Sequence, residues 1–268
     1  MLSTQLSQGF QKSMRIMSFN ANGIRAAARK GFFEWFLTQD IDVLCVQETK
    51  AQTDQLDDPV FSPVGYHRFL FDAEKKGYSG VAIYARQEPD QVITGLGWPC
   101  PDTEGRYIQA DFGALSVVSL YLPSGSAGDH RQVHKFEFME RYETILAEQL
   151  NSGRSYIICG DWNIVHTEKD IKNFKSNQKT SGCLPEERAW LDKLFTEQGW
   201  VDGFRVVNQE ADQYTWWSNR GQAWANNVGW RIDYQLLTPD LRERVLDADI
   251  YRDERFSDHA PLTVSYRD

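Results

Sequence analysis

Cysteine is scarce in this sequence, and no apolar run is long enough to cross a bilayer. Cys45, Cys100, Cys159 and Cys183 are widely separated and form no C-x-x-C pair, so neither a disulfide framework nor a zinc cluster is indicated and reduced, mostly buried thiols are expected. No stretch reaches the roughly eighteen consecutive apolar residues of a membrane span, and the opening MLSTQLSQGFQKS lacks the apolar segment of a secretory leader. A cytoplasmic protein without a membrane partner is expected. Excess positive charge is missing too: the formal net charge is -9, which excludes tight, purely electrostatic binding of nucleic acid, so any such contact must be local. The phosphate-binding signatures G-x-x-x-x-G-K-[ST] and G-x-G-x-x-G do not occur, and PSGSAGD, from Pro123, has no following lysine and reads as a plain loop. Ser257 precedes Asp258 and His259 without a G-x-S-x-G elbow, which argues against a serine hydrolase.

What is present describes an ordered α/β protein, with 41% hydrophobic and 25% charged residues. Residues 1–13 read as a loose extension and 14–268 as a single domain. Met14–Phe19 and Asp42–Gln47 are expected strands enclosing a helix over Gly31–Gln39, whose Phe32, Phe33, Trp35 and Phe36 recur at near-helical spacing. HRFLF, GVAIYA, RYIQADF and LSVVSLY follow as strands separated by turn residues. Helices are expected over Lys135–Leu150 and, after Pro185, over Glu186–Glu197, with further strands at Tyr156–Cys159, Arg231–Leu237, Val245–Tyr251 and Leu262–Tyr266. About ten strands with few helices suit stacked sheets flanked by helices. No internal repeat or low-complexity tract is visible.

Polar residues collect where these strands end. Asn20 and Asn22 follow the first strand, Glu48 the second, and Asp161 and Asn163 follow YIIC, while Tyr121 closes a middle strand and His259 precedes the last. Each alone serves as well for a turn or a cap; strand ends lying side by side would bring them to one site. Asp233 stands out, because a carboxylate between Ile232 and Tyr234 in an apolar strand needs a buried partner, and His259 is a natural one. Carboxylates with amides and few thiols or imidazoles suit a hard cation, magnesium or manganese, rather than zinc. Such a site suits phosphate chemistry: Glu48 for the metal, Asp161 to deprotonate water, Asn163 to hold it in line, and Asp233 with His259 to stabilise charge in the transition state. The lysines near Lys172 lie just beyond GDWN, where a phosphate-facing loop would be useful.

The ordered set NANG, QETK, YLPSG, GDWNI, GWRIDY and SDHAPL resembles the exonuclease III/AP-endonuclease branch of the endonuclease/exonuclease/phosphatase superfamily, from Met14 onward. Sphingomyelinases and inositol-polyphosphate phosphatases look similar at DWN and SDH, whereas PEERAW and YTWW followed by NNVGWRIDY resemble the DNA-repair branch. The resemblance implies a four-layer sandwich of two mixed, mainly antiparallel sheets flanked by helices. It implies a magnesium-dependent nuclease on duplex DNA carrying an abasic site, cutting 5′ of that site, with 3′-5′ exonuclease activity in addition. By it, Glu48 is the principal metal ligand with Asn20 and Asp258 assisting, Asp161 activates water, Asn163 and Tyr121 position phosphate and leaving group, and Asp233 orients His259. Trp216, Trp230 and Ile232 would line the sugar pocket, with Asn22 and Lys172 as further substrate contacts. ITGLG, DIKN and RIDYQLLTPDLR also resemble a regulatory branch of the family, acting in catabolite repression on mRNA with an RNA chaperone. That alternative differs in class, since a regulator does not need an intact acidic set.

Overall fold

The computed structural model describes residues 13–267. Of the expected extension, residues 1–13, the first twelve lie outside them, and Ser13 instead belongs to the first strand, paired with Arg267. In chain order β1 (Ser13–Asn20), β2 (Val43–Gln47), β3 (His67–Phe71) and β4 (Val81–Ala85) enter one sheet. β5 (Gln91–Thr94), β6 (Tyr107–Phe112), β7 (Leu115–Tyr121), β8 (Ser155–Asp161) and β9 (Val201–Asp202) enter a second. β10 (Trp216–Trp217) and β11 (Gly229–Trp230) form a separate ribbon, β12 (Asp233–Leu237) returns to the second sheet, and β13 (Val245–Ile250) and β14 (Leu262–Arg267) complete the first. The helices are α1 (Ile24–Arg29), α2 (Phe32–Phe36), α3 (Pro99–Thr103), α4 (Asp129–Asn151), α5 (Phe174–Asn177), α6 (Pro185–Lys193) and α7 (Gly203–Val207). None is long and apolar enough to cross a membrane.

The sheets run β13-β14-β1-β2-β4-β3 and β5-β6-β7-β8-β12-β9. Each has one parallel pair at its centre, β1 with β2 and β7 with β8, and antiparallel neighbours on both sides. A parallel pair needs a crossover, supplied by α1 and α2 in the first sheet and by α4 in the second. Alternation along the strands then makes three apolar layers. Ile16, Cys45, Ile83, Val117 and Ile157 fill the space between the sheets. Met17, Leu44 and Tyr84 turn outward onto Phe32, Phe33 and Phe36 of α2, while Val118, Ile158 and Leu236 turn outward onto Phe138 and Tyr142 of α4 and Trp190 of α6. Each fully buried side chain of this size contributes about 1.5–3 kcal/mol. This is the expected four-layer sandwich.

Polar groups inside the sandwich are paired across it. Gln47 donates to Ser119 Oγ at 2.9 Å, and Gln235 bridges the layers by donating to the Ile16 carbonyl and accepting from Tyr266. Gly160 of β8 packs so tightly on β7 that a Cβ there would lie 2.3 Å from the Leu120 carbonyl oxygen.

Some elements differ from expectation. The long helix starts at Asp129 rather than Lys135, because Asp129 to His134 offer a single apolar residue, Val133, and leave no apolar period to read. The strand expected over Arg231–Leu237 begins at Asp233, since the Arg231 side chain is turned into a buried network with Asp170 and Asp202. The second expected helix is α-helical only to Lys193 and finishes in a wider turn, Leu194–Gln198.

Candidate active site

The registers put one end of both sheets in common. Asn20 pairs with Gln47 at the ends of β1 and β2, Tyr121 pairs with Asp161 at the ends of β7 and β8, and Asp161 faces Asp233 at the start of β12. The segment before β14 brings in Asp258 and His259, and an isolated bridge joins His259 to Trp216. A cleft of about 400 Å³ opens there. Its lining includes Asn22, Glu48, Tyr121, Asp161, Asn163 and His259, with Trp216, Trp230, Ile232 and Asp258 at the side.

At its floor the Asn20 side-chain amide donates to Glu48 Oε1 at 2.9 Å and to Asp161 Oδ2 at 2.8 Å, tying the two sheets' carboxylates together. The oxygen of Asn20 accepts the Asn22 backbone N–H at 2.9 Å, so this residue acts through the carboxylates it bridges. Burial alone would raise Glu48, but the Lys50 ammonium, 2.8 Å away, and Asn20 hold it below its ordinary value. For Asp161 burial wins: with Asp233 and Glu48 as like-charged neighbours opposed by His259, the carboxyl is pushed up to about 8. His259 sits with Nδ1 2.8 Å from Asp233 Oδ2, and its Nε2 is 3.9 Å from Asp161 Oδ2. Burial disfavours the imidazolium, yet Asp233 outweighs it, aided by Asp161 and Asp258, and raises His259 to about 10. The Tyr121 phenol is kept protonated by burial and by Glu48.

Part of the backbone strain falls here. Asn22, Glu48, Lys50 and Asn163 all have positive φ, which asparagine tolerates but glutamate and lysine rarely adopt. Backbone bonds fix the turn around Glu48: Gly23 N–H donates to the Glu48 carbonyl at 2.8 Å and Lys50 N–H to the Ser79 carbonyl at 2.8 Å. Strain of roughly 1–3 kcal/mol per residue persists only when such surroundings over-determine it.

Asp258 lies at the side of the cleft with both oxygens engaged, Oδ1 by Asn22 and Ser257 and Oδ2 by the Trp216 indole at 3.1 Å. Trp216 and Trp230 meet edge to face, centroids 5.8 Å apart, and with Ile232 form an apolar wall. Lys172 is not brought into the cleft: its backbone N–H joins Gly229, and its ammonium turns to Asp212 at 3.4 Å. Asp212 is a competing anion within reach on the neighbouring loop, invisible from the lysine spacing alone.

Several lining residues escaped the sequence reading. Ser124 and Ser126 place the supposed plain loop at the cleft, and Thr180, Ser181, Gly182 and Lys50 line it as well. Lys50 had a signal, standing two residues after Glu48. Arg106 had none: it is buried, donates to the Tyr121 carbonyl at 3.0 Å and stacks 4.6 Å from the Tyr121 ring centroid. A second buried cation, Lys135, donates to the Asn163 carbonyl at 2.8 Å and to Glu187, whose other oxygen accepts the Gly182 and Leu184 N–H groups. That pair fixes the backbone on either side of the cleft.

Glu48, Asp161 and His259 each offer an atom within 4.8 Å of the others, close enough to surround one cation. With His259 favoured as an imidazolium, the free donors are carboxylate oxygens, and the set fits a hard divalent ion.

Comparison with known proteins agrees with this architecture. The model of the Endonuclease/Exonuclease/phosphatase family matches residues 17–259. The chain is 39% identical over 253 residues to an exodeoxyribonuclease of Bacillus subtilis, covering 94% of this chain and 98% of that one. It is 36% identical over 259 residues to the DNA repair nuclease APEX1 of Danio rerio, covering 96% and 83%. Among solved structures it superposes on an AP endonuclease from Archaeoglobus fulgidus with a TM-score of 0.86 at 29% identity, covering 95% of this chain and all of that one. With the family model matching nearly the whole chain and relatives 36–39% identical over most of it, the chain belongs to the endonuclease/exonuclease/phosphatase family.

Proposed function

We propose that the chain is a divalent-cation-dependent phosphodiesterase that cuts a DNA strand on the 5′ side of an abasic site and trims 3′ ends in the same cleft. The observation that carries this reading is the meeting of Glu48 and Asp161 through Asn20, with the Asp233–His259 pair beside them and the Trp216–Trp230 wall along one side. An abasic sugar lacks the base that would collide with such a wall, and tryptophan presents a broad apolar face to it. The relatives that carry exodeoxyribonuclease and DNA-repair nuclease names support the same substrate class.

Magnesium, or manganese in its place, held by Glu48 with Asp161 and Asp258 near, would neutralise charge on a non-bridging phosphate oxygen. The chain's own groups do the rest. Asp161, with a pKa drawn toward neutrality, accepts a proton from the attacking water, and the neighbouring Asn163 holds that water in line. As the water oxygen bonds to phosphorus, negative charge grows on the phosphoryl oxygens and His259, protonated through neutral pH, donates to it from Nε2. Asp233 fixes the imidazolium in place. Tyr121, kept protonated, positions the leaving oxygen, which departs as its bond to phosphorus breaks and takes a proton from solvent.

The test is incision of a duplex with a single synthetic abasic site, with magnesium and with chelator, beside Glu48→Gln and Asp161→Asn to exclude a contaminating nuclease. Metal-dependent incision lost in both variants is expected. A folded wild type that does not cut at high concentration would overturn the reading and put the regulatory, mRNA-binding alternative with its RNA chaperone in front.

A further inference from the structure

Away from the cleft, the described residues gather a second group of metal-ligating side chains. Cys100 of α3 lies with Sγ 3.0 Å from His134 Nε2 on α4 and 3.8 Å from a carboxylate oxygen of Glu104, the residue that ends α3. Their ligand atoms all fall within 4.8 Å of one another. Spacing along the chain does not reveal this, because His134 stands 34 residues from Cys100 and the two meet only when α4 packs beside α3.

We propose that Cys100, His134 and Glu104 form a binding site for a borderline-soft divalent ion of the zinc class, separate from the cation of the cleft. The donor set decides the class: one thiolate, one imidazole nitrogen and one carboxylate oxygen suit zinc or cobalt and are poor ligands for magnesium. Bond lengths of about 2.3 Å to sulfur and 2.0–2.1 Å to nitrogen set tetrahedral ligand atoms about 3.5 Å apart. The present sulfur to nitrogen contact would therefore open by about half an ångström, and the sulfur to oxygen spacing already fits. A cavity of about 210 Å³, lined by Trp98, Cys100, His134 and Glu137 among others, leaves room for water as the fourth ligand. Glu137 lies one turn along α4 with a carboxylate oxygen 4.0 Å from His134 Nδ1, beyond hydrogen-bond distance, on the side of the ring away from the sulfur-facing Nε2.

Two cations compete for the site. Arg106 holds one Glu104 oxygen at 2.5 Å and Arg131 approaches the other at 3.7 Å, so Glu104 is the weakest of the three ligands and the sulfur and imidazole carry most of the affinity. Burial raises the Cys100 thiol to about 12, so binding displaces a proton from sulfur. Burial and Arg131 lower His134, leaving its ring neutral and its lone pair available.

The test uses the whole chain, wild type and Glu48→Gln, titrated with cobalt(II) and then dialysed against zinc. Oxygen and nitrogen ligands in the cleft give no thiolate-to-cobalt charge-transfer band, whereas the Cys100 site does. A near-ultraviolet band that saturates with a single cobalt ion and is displaced by zinc is expected in both proteins. Cys100→Ser should abolish it, and His134→Ala should weaken binding by more than the roughly 10- to 100-fold that loss of an outer-shell partner costs. Circular dichroism checks that both variants are folded. Absence of the band with cobalt in excess, its persistence in Cys100→Ser, or unchanged affinity in His134→Ala would each overturn the proposal.

Discussion

Asp233→Asn isolates the charge on which the proposed chemistry of His259 depends. The substitution keeps the shape of a side chain that is almost fully buried, and among the described residues the side-chain hydrogen bond at stake is the 2.8 Å one from Oδ2 to His259, Oδ1 having no partner among them. Burial works against the imidazolium, and Asp233 is the largest influence in its favour. At pH 8 a His259 returned from about 10 to its ordinary 6.5 would carry its proton only about one time in thirty. Asp161 and Asp258 remain and retain part of the shift, which leaves an expected loss of roughly 10-fold in rate at pH 8.

The sign with pH is fixed by the same shift. Wild-type His259 keeps its proton until pH approaches 10, so its charge state is constant through neutral pH. In the variant the proton is lost in that range, and activity lost at pH 8 should partly return as the pH is lowered toward 6.5. Single-turnover incision of the abasic duplex, with duplex affinity measured separately, reads this directly: the rate of the chemical step falls while binding stays close to wild type. A folded variant that cuts within about threefold of wild type, or that gains nothing as the pH falls, would refute the role of a charged His259.

Three further outcomes follow from the same geometry. Lys135→Met leaves Glu187 buried without its cation, and urea unfolding should show a loss of roughly 3–5 kcal/mol, with incision reduced because the Asn163 carbonyl and the Gly182 loop lose their anchor. Asp170→Asn removes the carboxylate shared by Arg231 and Arg205; although burial opposes it, those cations hold Asp170 well below the usual carboxylate range. Its stabilisation is therefore complete above the unfolded value of about 4 and fades as pH falls below it, so the variant should be less stable at neutral pH and show a flatter acid limb in thermal melts. Gly160→Ala forces β7 and β8 apart at the Leu120 carbonyl, and a loss of at least 1–3 kcal/mol in urea unfolding is expected, with Asp161 displaced and incision slowed.

The layers of this fold were legible because most strands carry dense apolar runs: VLCVQ, VAIYA and YIIC announce themselves whatever their neighbours do. β9, β10 and β11 are two residues each, too short to show any period, and exist only because β12 and the Trp216–Trp230 pairing hold them. The site was legible for a different reason. Glu48, Asp161 and His259 follow or precede buried strands, and parallel central pairs bring such ends together. What could not be read was the partner of each side chain. Lys172 has the right charge and neighbourhood but is paired with Asp212, Asn20 turns its nitrogen rather than its oxygen to the carboxylates, and Arg106 reaches Tyr121 from within a strand junction. Those outcomes depend on the ions opposite, which spacing along one chain does not record.

Two carboxylates in a buried cleft repel one another, and the chain answers this from both sheets. The first sheet brings Glu48 with Lys50 at 2.8 Å, and the second brings Asp161 next to Asp233, whose charge is taken up by His259. Asn20, which has no charge, donates to both acids, at 2.9 and 2.8 Å. An aspartate there would add a third negative charge, and an apolar residue would take a donor from Glu48 Oε1 and leave Asp161 Oδ2 with the longer 3.3 Å bond from Asn163. The asymmetry of the result is functional. Glu48, beside an ammonium, is held ionised and suited to a cation, whereas Asp161, farther from compensation, is drawn toward neutrality and suited to taking a proton. Two acids that differ by a single methylene are thus separated in role by their neighbours, and each sheet contributes one of them.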